Sequence, residues 1–490
     1  MAKSRRQPLD RLAQALMIVL AVVIGGMVLL GGPAASKVRS FTWKDRQVGA
    51  DETSFLLNFS RPMDHGSVEQ NLIIEPPLPG RFSWAGRRMA YTLNFPAPYG
   101  NEFTLSLPQA RDRFSGADAK FVPFEARFKS HERTFAYIGI DGDEQGRLML
   151  YNLSTQSSTA LTPEDWTVLD FKPYTQGDRI LFAAAESELG EQQDQQLYTV
   201  TTGLGDRSAP SGQIETILDS DGYQNLKFDL SADGQTVVVQ RVNRSNPGDF
   251  GPWVITQGEA PRRLETEPGG DFIIAPDSQS LLLQQGEGTA IIALSDAENE
   301  QSGDTLDFLP QYGLVMDVAG NGSAAAMVSF NQDDPEKRYT QTLFWVSNQG
   351  DEKPLLNVTG AILDAQFDPT NELLFCLTSQ LLEGDTYQVQ PSISAVNLKT
   401  DSMEELWTLP PQPSVHMSLA PDGLALLFDE TVPSANADSS AVVDNGVAIA
   451  TSKLWLLPLY QTSEARLNKQ PQPIEPQAFP FMGINPVWIP

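Results

Sequence analysis

If this chain performs chemistry, carboxylates would have to do most of it. Its 490 residues hold 62 Asp and Glu but only three histidines and one cysteine. His65, His131 and His416 fall in three separately organised stretches, so a Ser-His-Asp arrangement is not expected. His416 reads as a packed or pore-lining strand residue. Gly-x-Ser-x-Gly, Walker-type and His-Glu-x-x-His patterns are absent. That removes the hydrolase elbow, the nucleotide loop and the zinc-protease helix. Cys376 sits in an apolar run, Leu373-Leu-Phe-Cys-Leu377, as a small buried residue would. One thiol forms neither an internal disulfide nor a multi-cysteine metal site. Asp141-Gly-Asp-Glu144 with Gly146 could hold calcium, but a solvated hairpin turn is the preferred reading. No catalytic, cofactor-binding or metal residue is assigned, and no cofactor is expected.

The charge is unevenly spread. Residues 1–36 carry Lys3, Arg5, Arg6 and Arg11 against Asp10, a net of +3. Residues 37–132 hold 13 basic and 11 acidic residues, a net of +2. The rest, 133–490, holds 17 basic and 50 acidic residues, a net of −33. Nucleic-acid binding needs clustered Lys and Arg, so that role is excluded. The acidity serves solubility, with a cationic partner or a divalent metal as the sharper alternative.

These residues need elements to position them. Between Arg11 and Lys37 no residue is charged, and Ala15–Leu30 is apolar throughout. As a helix this stretch would reach about 37 Å, enough for a bilayer. The basic residues lie upstream, which keeps the N-terminus in the cytoplasm and sends the rest across. A retained anchor is the first reading. A signal peptide cleaved at Ala34-Ala-Ser36 is the second. No cysteine follows the apolar run, so a lipoprotein is not expected.

Residues 37–132 read as short strands separated by turns, an Ig-like β-sandwich. Ser54–Phe59, Met89–Leu93 and Glu102–Leu107 alternate apolar and polar residues. Phe59-Ser-Arg-Pro-Met-Asp64 with Ser67-Val68 resembles the opening of the bacterial SbsA-type Ig-like domain. Gly80-x-Phe-x-Trp84, Tyr91, Tyr99-Gly-x-x-Phe-x-Leu-x-Leu107 and Arg111-Asp-x-x-Ser-Gly116 follow in that family's order. Phe103 departs from it, where Tyr is usual. The resemblance implies a spacer or adhesion-like module without catalytic residues.

Residues 133–490 repeat one pattern: an apolar run, a turn, and a second apolar run. Copies begin at Val168, Leu226, Phe272, Val315, Leu363 and Val415. Their turn residues Gly177, Gly234, Ser278, Asn321, Asn371 and Gly423 recur at intervals of 43 to 57 residues. That period fits one four-stranded propeller blade. Thr134–Leu161 looks like a blade lacking its first strand, and Gly483–Pro490 like a first strand with nothing after it. Joined, they would close a β-propeller of seven blades, with six or eight as neighbouring counts. The Ser-Ala-Asp-Gly and Ala-Pro-Asp-Gly turns resemble the PD40 repeats of TolB-like propellers. The resemblance implies a protein-binding module and supplies no functional residue. Trp253, Trp345, Trp407 and Trp455 read as blade packing. The segments Glu186–Gln196 and Ser434–Gly446 read as exposed insertions.

The expected fold class is therefore all-β after one N-terminal transmembrane helix: anchor at 1–36, sandwich at 37–132, propeller at 133–490. The expected function is that of a membrane-anchored, extracytoplasmic protein-binding or scaffold protein of the bacterial envelope, with a protein or glycan partner. The alternative is an envelope-polymer hydrolase or lyase using pore carboxylates, since two carboxylates suffice for glycoside cleavage. Converging pore carboxylates in a matching cleft would favour that alternative.

Overall fold

The structure is a computed structural model. It describes residues 8–30, 35–114, 120–186, 195–205, 209–294, 305–332, 334–382, 388–434, 442–444 and 446–490. The contacts divide into two compact units. One comprises Met1–Val48, Glu52–Asn94 and Glu102–Lys129; the other comprises Gly49–Asp51, Phe95–Asn101 and Ser130–Pro490.

The apolar N-terminal segment forms one helix, Pro8–Leu30, of 23 residues. Among the described residues no helix is long and apolar enough to cross a membrane. The side chains of Arg11, Ile24 and Gly26 to Leu30 lie outside the described set, as do Lys3, Arg5, Arg6 and Ala34. The fold thus does not establish the expected transmembrane span.

The rest of the first unit holds two four-stranded antiparallel sheets. One joins Val38–Phe41, Ser54–Phe59, Arg88–Leu93 and Gly80–Ala85 in that order. The other joins Gln47–Val48, Phe124–Ser130, Glu102–Leu107 and Ile73–Glu75. Alternation along each strand sends one row of side chains inward. Trp43 lies 5.2 Å from Phe55 on the first sheet and 5.1 Å from Phe128 on the second, tying the faces together. Phe103 is buried and stacks on Phe128. Ser115 and Gly116, the end of the SbsA-like pattern, lie outside the described residues.

The second unit is a β-propeller. Among the described residues six four-stranded antiparallel sheets and one of five strands follow one another, and each is one blade. Blades 2 to 6 start with the inner strands Trp166–Pro173, Tyr223–Leu230, Phe272–Ile274, Leu314–Val318 and Gly360–Phe367. Blade 7 starts with Met417–Leu419. Its outer edge is covered only by the two-residue pairs Val443–Asp444 and Gln477–Ala478. Blade 1 is composite. Gly483–Trp488 pairs with Thr134–Gly139, placing Ile484 opposite Ile138 and Trp488 opposite Phe135.

Each seam between blades has its own apolar core. Ala136, Leu150, Phe171 and Phe182 meet between blades 1 and 2, and Leu181, Phe228 and Val239 between blades 2 and 3. Phe135, Tyr137, Leu427 and Trp488 meet between blades 7 and 1. The hairpins between inner and second strands share one turn. Gly177, Gly234, Ser278, Gly322, Asn371 and Gly423 all have positive φ. Each donates its N–H to the carbonyl three residues earlier. Gly, or Asn and Ser with short polar side chains, is what that left-handed position accepts. In the fourth copy the residue is Gly322 and not Asn321, whose side chain instead accepts the Ser323 N–H.

Deleting residues 483–490 removes Ile484 and Ile489 from one seam core and Trp488 from another. The expected loss is on the order of 5 kcal/mol or more, by the cost of emptying buried apolar sites. Thermal melting of the full and truncated chains checks this. An unchanged melting temperature would contradict the closure.

Candidate functional site

The inner strands carry a shared irregularity. Pairing with the second strand shifts register between Val168 and Asp170, Asn225 and Phe228, Val315 and Asp317, and Ile362 and Asp364. A bulge inserts an extra residue, kinks the strand and re-aims the side chains around it. In blades 2, 5 and 6 the residue just after the bulge is an aspartate. Asp170, Asp317 and Asp364, with Asp229 of blade 3, line one cavity of about 540 Å³ together with Lys172 and Gln366. It is walled by the inner strands of blades 2 to 7, so it belongs to the central channel.

Most of these polar groups hold backbone donors. Asp170, Asp229 and Asp317 each accept the N–H of the next residue, at 2.8 to 2.9 Å. Asp229 also accepts the Ile274 N–H of blade 4 at 2.7 Å, and Asp317 the Phe367 N–H of blade 6 at 2.8 Å. The Gln366 amide spans the next seam, donating to the Met417 carbonyl at 2.9 Å and accepting the Leu419 N–H at 2.8 Å. These contacts give inner-strand N–H groups the partners a buried backbone requires. Lys172 pairs with Asp229, and Lys227 with Asp271.

Burial raises the Asp317 carboxyl to about 7, helped by neighbouring Asp364 and opposed by the Phe367 and Val318 N–H donors. Burial raises Asp364 to about 6, opposed by Gln366, which donates to it at 2.6 Å. Burial also moves Asp170 upward. Protein encloses Asp170, yet its carboxyl faces the channel void and is exposed to a water-sized sphere. Burial lowers Lys227, opposed by Asp229 and Asp170.

No protein-family model and no curated protein matches this chain. Solved structures do. A putative 6-phosphogluconolactonase from Bacteroides uniformis is similar at 11% identity, covering 73% of this chain and 99% of that one, with a TM-score of 0.43. TolB from Acinetobacter baumannii is similar at 10% identity, covering 86% and 83%, with a TM-score of 0.39. An oligogalacturonate lyase in complex with manganese is similar at 13% identity, covering 64% and 83%, with a TM-score of 0.43. TolB-like and lactonase-like propellers are thus among the structural neighbours. Likeness at this level says nothing of what the chain binds. The SbsA-type resemblance of the first unit finds no match.

The structure distributes the sequence's other candidates widely. His416 lies beside the first strand of blade 7, between Asp429 and Asp444. His65 stacks on Trp84 with ring centres 4.2 Å apart. The His131 Nδ1 lies 3.1 Å from the Pro490 carbonyl. The Asp141 stretch ends in a single 3-10 turn, Gly142–Glu144, and Glu144 accepts the Tyr137 hydroxyl at 2.8 Å. Among the described residues no group of three His, Cys, Asp or Glu is placed to hold a metal ion. Cys376 is fully buried, and burial pushes its thiol up. Trp455 stacks on Phe428. Trp407 departs from its expected packing role. It lies 38% exposed on the outer strand of blade 6, because strand alternation turns Leu406 inward in its place. Within the two expected insertions, residues 187–194, 435–441 and 445 lie outside the described set.

The channel aspartates themselves were not singled out by sequence. Their signal was present as Val168-Leu-Asp, Val315-Met-Asp and Ile362-Leu-Asp, the same apolar-apolar-Asp step in three copies.

Both raised carboxyls set a sign. Their stabilising contribution is full below about pH 4 and lost as pH rises through about 6 and 7. Asp364→Asn should therefore stabilise the chain at pH 8, by roughly 1–2 kcal/mol, with a higher melting temperature, and lose that advantage at pH 4. Scanning calorimetry of both proteins at the two pH values reads this directly.

Proposed function

We propose that this chain is a membrane-tethered binding or scaffold protein of the bacterial envelope, with the propeller as its interaction element. One observation carries the reading. Asp229, Asp317 and Gln366 are committed to joining neighbouring blades, and among the described residues no nucleophile-and-base pair is aimed at a shared point in the channel. A rigid ring presenting loops around such a channel suits recognition of a protein or glycan. The N-terminal helix, uncharged beyond Arg11 and preceded by basic residues, supports a retained anchor with the N-terminus inside. Ser36 adds to this. It is buried, and its N–H donates to the Lys120 carbonyl at 2.8 Å. Cleavage after Ser36 would remove a residue built into the sandwich. The Ig-like unit would serve as a stalk.

A second reading has its own support. Asp317 and Asp364, on adjacent blades, hold protons near neutral pH, the property a general acid needs. On that reading the protein cleaves an envelope polymer in the channel.

Two measurements separate the readings. A photo-crosslinking residue replacing Pro421, in the channel wall, should capture an envelope partner in intact cells, whereas one replacing the exposed Met403 on an outer strand should not. If neither site captures anything, and the purified chain cleaves envelope glycan unless Asp317→Asn is present, the binding reading is wrong. The mass of the mature protein tests the anchor: the full 53.7 kDa is expected. A chain beginning at Lys37 would overturn it.

A further inference from the structure

The seam where the last strand closes the ring is held by one buried carboxylate. Asp429 stands on the second strand of blade 7 and is fully buried. It accepts the His416 backbone N–H at 2.7 Å and bonds the His416 ring Nδ1 at 2.9 Å. Its Oδ2 also accepts the Asn485 backbone N–H at 2.9 Å. Asn485 belongs to the closing strand and falls in the register shift between Ile484 and Val487. Its φ is 51°, and its neighbour Pro486 has no N–H to give. The closing strand therefore loses ladder bonds at this point, and Asp429 takes up the one donor that remains.

A buried carboxylate is costly unless it is paired and fully bonded. His416 supplies the pairing. Its Nε2 lies 3.5 Å from the Asp444 carboxylate, and Asp170 and Asp364 act on it from blades 2 and 6. The lysines of the channel wall, Lys172 and Lys227, are joined to Asp229 and Asp271. As imidazolium, His416 offers an N–H to Asp429 and another to Asp444. Once neutral, it turns a lone pair on one of them.

We propose that ring closure is a proton-controlled latch, in which charged His416 holds Asp429 where it grips Asn485 of the closing strand. Loss of that proton loosens the seam between blades 7 and 1 before any other. The inference rests on these residues alone and does not depend on the proposed function. Burial pulls the imidazolium down, but Asp429, Asp444 and Asp170 outweigh it and push His416 up to about 9. The folded value lies above the unfolded one of about 6.5. The latch is therefore fully engaged below about pH 6.5 and released as pH rises through about 9.

The test uses the full chain in lipid nanodiscs. Ring resonances of labelled histidine report the titration, and hydrogen exchange, corrected for its intrinsic pH dependence, reports protection of Ile484–Ile489. His416 should titrate near pH 9, with protection of that segment falling about tenfold or more in step. In His416→Gln the protection should be low already at pH 7 and should show no such step. His131→Gln is the control, because His131 touches Pro490 at the end of the same strand. A His416 titration near 6.5, protection unchanged to pH 10, or a step that survives His416→Gln and vanishes in His131→Gln would each overturn the latch. The wild-type titration stands as evidence even if His416→Gln does not fold.

Discussion

A four-stranded blade has two apolar faces and can bury both only between two neighbours. No blade of this propeller is therefore stable by itself, and each seam depends on the ring being complete. The cores make this concrete. Phe182 of blade 2 packs toward blade 1, while Leu181, the next residue back, packs toward blade 3. Alternation along a single strand thus commits one blade to two seams. The seams are not equal. Between blades 4 and 5 the fully buried set is Tyr312, Met327 and Val346, whereas the seam between blades 1 and 2 gathers sixteen buried residues, among them Ile484 and Ile489 from the C-terminal strand. Apolar burial is thus greatest where the chain's last strand must hold.

The channel follows from the same constraint. Inner strands crowd around an axis, and bulges let them bend to fit. Each inner strand is an edge strand whose outward N–H groups need partners, and aspartates and a glutamine supply them. Asp229, Asp317 and Gln366 each reach from one inner strand to an N–H of the next. The carboxylates are therefore part of the wall. Placing them there also concentrates negative charge in a narrow enclosure, which is why Asp317 and Asp364 retain protons to unusually high pH. Perturbed acids often mark catalytic sites, but structural use produces the same perturbation. In this channel the backbone bonds account for where the groups are, and enclosure accounts for their titration.

Much of the fold was legible because turns impose local chemistry. Gly177, Gly234, Ser278, Asn371 and Gly423 were readable as turn residues, and all five occupy the left-handed region that makes such residues necessary. The repeat interval then pointed to a propeller, as the unmatched half-blades at Thr134 and Gly483 did. The site was less legible. A bulge is a relation between two strands, and nothing within Val315-Met-Asp reveals that its pairing partner slips. In the sequence, an aspartate there looks like an interruption of apolar alternation. The latch was hidden for a related reason. His416, Asp429 and Asn485 meet only because the C-terminal strand returns to the start of the ring, and a lone histidine in a strand is most simply a packed residue. Trp407 misled in the opposite direction, since a large aromatic in a strand reads as core whichever face it occupies.

The acidic residues of the propeller thus divide into populations that composition cannot separate. Those in the hairpin turns, such as Asp233, Asp277 and Asp422, accept N–H groups two residues ahead and set turn geometry. Those in the channel join blades. The remainder give the surface its charge. In the channel, burial and the neighbouring Asp364 raise Asp317, and beside it Asp429 and Asp444 raise His416. A net charge of −33 read from sequence suggests one diffuse property, solubility. The structure resolves it into a solvated exterior and a smaller set of enclosed carboxylates.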